Sequence, residues 1–327
     1  MQILCLSGGG YLGLYTASIL AELEEQSGRP LADCFDLIAG TSIGGILALG
    51  LAARTPAAAI RDAMREHGPR IFKTSPPPQS TVSKRLALLS NATVAKYSAA
   101  PLRAIIDDLV DPTMKVGDLS QRVIVPAVNL TKGRPQVFKT PHHPTFVRDL
   151  RLLVADVALA TSAAPTYFPL HNINGELFAD GGLYANAPDQ LALHEAEHFL
   201  GAPLENITML SIGTTTSKFS FSNSVNPNMG WLAWMEDERL PSVMISTQQI
   251  NASAILEHRL AQRYLRIDRD QSREQERFLG LDVASSGAIS DLQGLAEASV
   301  REHLGKETLP AMLASRASPP TFYKPQG

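Results

Sequence analysis

The sequence has 327 residues, of which 44% are hydrophobic and 19% charged, and its formal net charge is −3. This composition excludes an intrinsically disordered chain, because such chains are poor in apolar residues and rich in net charge. It also argues against a nucleic-acid polymer as partner, since proteins that bind one usually carry a clear basic excess. The two cysteines, Cys5 and Cys34, are too few for a disulfide scaffold or a Cys-based zinc site, so we expect reduced thiols.

The sequence predicts no membrane-spanning helix. Its longest apolar run covers residues 43–53 and ends at Arg54, far short of the roughly 20 residues that a span requires. The N-terminus reads MQILCLSGGG and lacks the basic region that begins a signal peptide. We therefore expect a cytoplasmic protein whose contact with a membrane is peripheral.

The order of apolar segments and turn residues predicts an α/β fold. The predicted elements in chain order are strand 2–6, helix 11–26, strand 34–39, helix 43–54, helix 56–72, helix 100–109, strand 122–130, strand 136–139, helix 148–161, strand 177–179, strand 207–212, helix 231–262, strand 264–269 and helix 289–304. The two strand–helix units at the start are typical of a parallel sheet. A Pro-rich break at 74–80 and a polar loop at 214–228 are candidate lid segments. We expect a single domain over 1–316 and a Pro-rich tail over 317–327.

The strongest local signal is Gly40-Thr41-Ser42-Ile43-Gly44, which lies between a predicted strand and a predicted helix. A serine at such a turn projects its hydroxyl out of the sheet, and the backbone N–H groups that follow it point at any oxyanion formed there. Small-residue turns of this form also arise by chance, so the flanking strand and helix carry the interpretation. They favour Ser42 as a nucleophile.

A second motif follows the first strand and consists of Gly8, Gly9, Gly10 and Gly13. It fits G-x-G-x-x-G, the pattern of dinucleotide-binding sites, which also require an acidic residue at the end of the next strand. Asp33 and Asp36 stand at the start of that strand instead, and the serine motif occupies its end. We therefore prefer an oxyanion hole built from backbone N–H groups at a helix N-terminus.

An acidic residue, Asp180, follows the predicted strand 177–179 and precedes Gly181 and Gly182. A strand end holds the side chain rigidly, and the glycines leave its carboxylate accessible, so Asp180 is a candidate base for Ser42. The alternative interpretation is an Asx-turn that merely ends the strand.

The three blocks, in this order, resemble the patatin-like phospholipases and lipid acyl hydrolases, which carry a glycine-rich block, G-x-S-x-G and D-G-G/A. Segment 160–169, which reads ATSAAPTYFP, is similar to the family's block before the aspartate. The resemblance implies a three-layer fold with a central, mainly parallel sheet and helices on both faces, and a Ser42–Asp180 dyad without metal or cofactor. It further implies an oxyanion hole at Gly8, Gly9 and Gly10, and motif-supporting roles for Gly13, Gly40, Gly44, Gly181 and Gly182.

This chain departs from the family pattern at Ser7 and Leu12, where an acidic and a basic residue are usual. Segments 40–50 and 129–134 resemble the patatin-like effectors of cyclic-oligonucleotide-based anti-phage signalling (CBASS). That resemblance implies phospholipid cleavage at the inner face of the cell membrane, activation by a cyclic dinucleotide, and self-association. The sequence identifies no nucleotide-binding residues. An unregulated lipase or esterase and a catalytically silent lipid- or nucleotide-binding protein remain as alternatives.

Two histidine-based alternatives also follow from the sequence. Residues 194–198 read HEAEH and match the zinc-binding pattern H-E-x-x-H, but its longer form needs a third histidine where Leu204 stands. A serine–histidine–aspartate triad is the other alternative. Its candidate histidines are those that follow Asp180, namely His194, His198, His258 and His303.

Overall fold

The structure is a computed structural model that describes residues 1–74, 94–215, 219, 221, 223, 225–235, 239–272 and 274–323. Residues 75–80 of the expected Pro-rich break lie outside them. The strands are β1 (Gln2–Leu6), β2 (Leu37–Gly40), β3 (Val123–Asn129), β4 (Arg134–Lys139), β5 (His171–Ile173), β6 (Glu176–Asp180), β7 (Thr208–Ile212) and β8 (Tyr264–Ile267). The helices are α1 (Gly13–Ser27), α2 (Ile43–Ala52), α3 (Ala57–Ile71), α4 (Ala100–Leu109), α5 (Val154–Thr161), α6 (Gly182–Ala185), α7 (Asp189–His194), α8 (Trp231–Met235), α9 (Arg239–Leu260), α10 (Ser286–Leu304) and α11 (Thr308–Ala314).

The described strands form one mixed sheet. Strands β3, β2, β1, β7 and β8 run parallel to one another, whereas β4 and β6 pair antiparallel with β3, and β5 pairs antiparallel with β6. The α/β class and the central, mainly parallel sheet are therefore confirmed.

Helices cover both faces of this sheet, as the alternation along β1 shows. Leu4 and Leu6 pack into a large apolar core with α1, α2, α3 and α10. Ile3 and Cys5 point the other way, into a smaller core that includes α7 and the C-terminal part of α9. A strand whose side chains are buried on both faces reads as a continuous apolar run, which is why β1 was recognisable in the sequence. The three-layer arrangement is confirmed.

Helix ends follow local chemistry. Helix α1 ends before Gly28, whose φ of 63° lies in the left-handed region that suits glycine at this position. Helix α10 begins after Ser285, whose Oγ accepts a hydrogen bond of 3.1 Å from the N–H of Ala288.

Two predicted elements begin several residues later than expected, one because of tertiary pairing and the other because of a local turn. The predicted helix 148–161 begins only at Val154, since Leu152 and Val154 exchange backbone hydrogen bonds with Val116 and Met114, which holds this stretch extended. The predicted strand 34–39 begins only at Leu37, because the N–H of Cys34 closes a tight turn.

The described part of the Pro-rich tail lies along the domain. The N–H of Ala317 donates to the Asp33 carbonyl at 2.8 Å, and the N–H of Tyr323 donates to the Pro141 carbonyl at 2.7 Å. The division at residue 316 stays a prediction. Within the described ranges, no helix combines the length and the apolar character needed to cross a bilayer.

Candidate active site

The sheet topology brings Ser42 and Asp180 together. Strand β4 occupies one edge of β3, so β2 and β6 share the other edge. Strand β2 pairs with β3 as far as Ile124, and the last residue of β6, Asp180, lies opposite Ala127. Because β6 runs antiparallel to β2, the C-terminal ends of the two strands meet beside β3. Two residues that are 138 positions apart in the sequence thereby come into hydrogen-bond contact.

Ser42 lies at a strained turn between β2 and α2. Its φ of 56° and ψ of −125° fall in a region that non-glycine residues rarely adopt. Its N–H donates a 3.0 Å hydrogen bond to Thr161 Oγ1, which in turn donates to the Pro126 carbonyl at 2.6 Å. These bonds hold the turn in the conformation that projects the serine hydroxyl from the sheet.

The glycines flanking this turn lie directly against other backbone atoms. A Cβ at Gly40 would lie 2.0 Å from the Gly44 carbonyl oxygen, and a Cβ at Gly44 would lie 2.3 Å from the Leu6 carbonyl oxygen. A Cβ at Gly13 would lie 2.5 Å from the Ile43 side chain. A close approach between β1, α1 and the serine turn therefore explains these three glycines.

Asp180 is buried and accepts two hydrogen bonds. Ser42 Oγ donates to Oδ2 at 2.7 Å, and the N–H of Gly182 donates to Oδ1 at 2.6 Å. Burial raises the pKa of Asp180 to about 6, although both hydrogen bonds oppose the rise. A Cβ at Gly181 would lie 2.3 Å from the Pro126 carbonyl oxygen, so this glycine lets the chain leave β6 beside β3. The carboxylate is therefore fixed and more basic than an ordinary aspartate.

The predicted oxyanion donors differ in what their N–H groups contact. The N–H of Gly8 donates to the Asn186 carbonyl at 2.9 Å, which corrects the expectation that this amide is available. Within the part of the chain that the structure describes, the N–H groups of Gly9, Gly10 and Ile43 have no hydrogen-bond acceptor. All three residues line the same cavity as Ser42, so the donors that fit an oxyanion are Gly9, Gly10 and Ile43.

The cavity beside the dyad is mainly apolar and has a volume of about 310 Å³. Its wall is built largely from α3, α4 and α9, with these side chains among those that line it: Ile60, Met64, Ile71, Leu102, Ile105, Leu109, Leu240, Met244 and Ile245. A cavity of this character suits a hydrocarbon chain. No described histidine lines it, including the four considered for a triad, namely His194, His198, His258 and His303.

The H-E-x-x-H residues lie elsewhere and are engaged with one another and with neighbours. Both oxygens of buried Glu195 are used, Oε1 by His142 at 3.0 Å and Oε2 by Lys139 at 2.5 Å. Burial lowers the pKa of His142. The rings of His194 and His198 stack with centroids 5.1 Å apart. The described residues include no group of three or more His, Cys, Asp or Glu side chains arranged to hold a metal ion.

Sequence reasoning missed several residues that position the glycine block. Asn186 Nδ2 donates to the Gly8 carbonyl at 3.1 Å. Arg266 donates to Ser7 Oγ at 3.0 Å and to Asp268 at 2.6 Å, so a guanidinium from β8 contacts the residue that directly precedes the glycine block. Thr161, the acceptor of the Ser42 N–H, was not predicted as a site residue either, although it lies in the recognised segment 160–169.

Most of the chain is similar to known proteins. The family model for patatin-like phospholipase matches residues 4–193. The chain is 42% identical over 325 residues to the cGAMP-activated phospholipase of Pseudomonas aeruginosa, covering 98% of this chain and 94% of the relative. It is 39% identical over 314 residues to the cGAMP-activated phospholipase of Vibrio cholerae, covering 89% of this chain and 88% of the relative. The solved structure of VipD from Legionella pneumophila is 15% identical, with a TM-score of 0.40 over 91% of this chain and 67% of that one. The chain belongs to the patatin-like phospholipase family.

Proposed function

We propose that this protein is a Ser–Asp acyl hydrolase that cleaves fatty-acyl esters of membrane phospholipids and is activated by a cyclic dinucleotide. The observation that carries the proposal is the 2.7 Å hydrogen bond from Ser42 Oγ to Asp180 at the wall of an apolar cavity of about 310 Å³. The names of the relatives, cGAMP-activated phospholipases, support both the reaction and the activator.

Acylation begins when Ser42 Oγ attacks the ester carbonyl carbon while its proton passes to Asp180. A carboxyl with a pKa of about 6 is ionised at neutral pH and is a better base than an ordinary aspartate. The N–H groups of Gly9, Gly10 and Ile43 stabilise the negative charge on the carbonyl oxygen. When the tetrahedral intermediate collapses, the C–O bond to the lysophospholipid breaks, and that oxygen takes the proton from Asp180.

Deacylation follows the same steps as acylation, with water as the nucleophile. Asp180 takes a proton from the water molecule while the water oxygen attacks the acyl carbonyl carbon. The bond to Ser42 Oγ then breaks, the serine recovers the proton from Asp180, and the fatty acid leaves. Strain at the serine turn and the hydrogen bond from its N–H to Thr161 keep Ser42 Oγ in one position through both steps.

The proposed setting is anti-phage defence in the cytoplasm, with action at the inner face of the cell membrane. A hydrolase that destroys its own cell's lipids must stay inactive until signalled, which a cyclic dinucleotide such as cGAMP would accomplish. The nucleotide site is not assigned. We further propose that the activated protein self-associates, which sedimentation velocity with and without cGAMP tests directly; an unchanged mass would contradict it.

The test of the function is fatty-acid release from phospholipid vesicles with and without cGAMP. We expect release only with cGAMP, and none from Ser42→Ala or Asp180→Asn. Ser18→Ala is the matched control, because among the described residues this buried serine bonds within α1 alone, to the Leu14 carbonyl, and should leave release unchanged. Release without cGAMP would indicate an unregulated lipase. No release from the parent protein under either condition would indicate a binding protein and overturn the proposal.

A further inference from the structure

An exposed apolar surface adjoins the mouth of the cavity that holds Ser42. Leu183 and Leu240 line this cavity and are also among the exposed large apolar residues of the chain. Trp231 is 64% exposed and lies on α8 one helical turn before Met235, which lines the cavity as well. Because residues four apart share a helix face, Trp231 lies on the same side of α8 as Met235 but does not itself line the cavity.

Aromatic residues from the preceding loop continue this surface. The ring of exposed Phe221 lies 6.1 Å from that of Trp234, measured between centroids, and the ring of exposed Phe219 lies 6.2 Å from that of Phe221. We call the combined set the rim surface; its members are Leu183, Phe219, Phe221, Trp231 and Leu240. Each of them has no formal charge.

The substrate of the proposed reaction explains why apolar side chains would be exposed here. Each CH₂ group that leaves a bilayer for water shifts the equilibrium against transfer by about fourfold, so a long acyl chain cannot reach the cavity through water at a useful rate. An acyl chain can enter the cavity directly where the mouth of the cavity contacts the bilayer. Tryptophan suits such a contact, because its apolar rings and its single N–H match the boundary between acyl chains and head groups.

We infer that the rim surface docks on a lipid bilayer, so that an acyl chain passes from the membrane to Ser42 without crossing water. This inference rests on the proposed function. It commits to a lipid surface because the rim surface is continuous with the cavity that would receive the chain. The members of the rim surface are uncharged, so burial of apolar side chains, not attraction to anionic lipid, drives the binding.

Tryptophan fluorescence tests the docking directly. The chain has two tryptophans, so Trp234→Phe leaves Trp231 as the single emitter. Ser42→Ala in the same chain prevents hydrolysis during the measurement. On adding phosphatidylcholine vesicles, with and without cGAMP, we expect the emission of Trp231 to shift to shorter wavelength as the indole leaves water. Unchanged emission under both conditions would overturn the inference.

Vesicle partition provides a second measurement that does not depend on this reporter. Trp231→Ser should lower partition onto phosphatidylcholine vesicles about tenfold. Val147→Ser is the control, since Val147 is 49% exposed but does not line the cavity, and should leave partition unchanged. Equal partition of the parent and Trp231→Ser would refute docking, and so would a loss of self-association without a loss of partition.

A monomeric short-chain ester separates this inference from the proposed function. With cGAMP present, hydrolysis of p-nitrophenyl butyrate should be equal in the parent and in Trp231→Ser, because that substrate needs no bilayer. If the parent hydrolyses neither this ester nor the phospholipid of vesicles, the proposed function fails. The fluorescence and partition measurements still test the docking in that case. If Trp231→Ser loses hydrolysis of the monomeric ester as well, Trp231 belongs to the catalytic site and the docking role is refuted.

Discussion

Asp180→Asn should stabilise the protein while abolishing its activity. The folded protein holds a proton on Asp180 up to a pH of about 6, whereas an aspartate in an unfolded chain has its ordinary pKa of 3.8. Protonation of Asp180 therefore favours the folded state fully below pH 3.8, and this contribution is lost as the pH rises through about 6. At neutral pH the ionised, buried carboxylate costs the fold roughly 3 kcal/mol, by the conversion of about 1.4 kcal/mol per pKa unit.

An asparagine side chain carries no charge, so it removes this cost and keeps an oxygen that accepts from the Gly182 N–H. The gain in unfolding free energy should be roughly 2 kcal/mol at pH 5 and roughly 3 kcal/mol at pH 8 by the same linkage relation. Activity should fall about a thousandfold, because an amide cannot take the Ser42 proton. In the parent, activity should rise with pH and reach half of its maximum near pH 6, the pKa of Asp180.

Urea unfolding at the two pH values measures the stability part, and hydrolysis of a monomeric ester between pH 5 and 8 with cGAMP present measures the activity part. Ser42→Ala is the matched control, since it is equally inactive but retains the buried carboxylate. The reasoning is refuted if Asp180→Asn is no more stable than Ser42→Ala at pH 8. It is also refuted if the parent's activity is flat between pH 5 and 7.

Three further substitutions test the parts of the site separately, and Gly28→Ala is the control for one of them. Thr161→Val removes the acceptor of the Ser42 N–H and should lower kcat about tenfold on a monomeric ester. Gly44→Ala should abolish activity and lower the melting temperature, because its Cβ would lie 2.3 Å from a carbonyl oxygen. At Gly28 a Cβ would meet nothing within 4 Å, so Gly28→Ala should lower the unfolding free energy by only about 1 kcal/mol. Equal effects of Gly44→Ala and Gly28→Ala would contradict this explanation. Met64→Trp should narrow the cavity and shift preference from palmitoyl to octanoyl esters; an unchanged chain-length profile would argue against an acyl chain there.

The sequence predicted those parts of the fold and site that depend on local pattern. Strand β1 and the serine turn were recognisable because buried strands, tight glycine turns and helix starts each leave a mark within a few residues. One local signal was overlooked. Asn174 and Gly175 both have positive φ and join β5 to β6 in a two-residue hairpin, a turn that Asn-Gly strongly favours.

The remaining features depend on contacts between distant parts of the chain. The Gly8 N–H is used by Asn186, and Ser7 is contacted by Arg266 from the far strand β8. Neither Asn186 nor Arg266 lies in a sequence pattern that predicts its contact, because a single polar residue at the end of an element suits many environments. The family resemblance indicated which residues converge, but the availability of each backbone donor required the three-dimensional structure.

The register of β6 shows how core packing determines the chemistry of the site. Alternate residues of a strand share a face, so Asp180 lies on the same side of the sheet as Phe178, whose ring packs against Phe138 with centroids 5.3 Å apart. A slip of one residue along β3 would expose Phe178 and turn Asp180 to the opposite face, away from Ser42. Burial of one aromatic ring therefore fixes the direction of the carboxylate. Because the pairing of β6 with β3 is short, this apolar contact and the dyad's own hydrogen bond together hold the base beside the nucleophile.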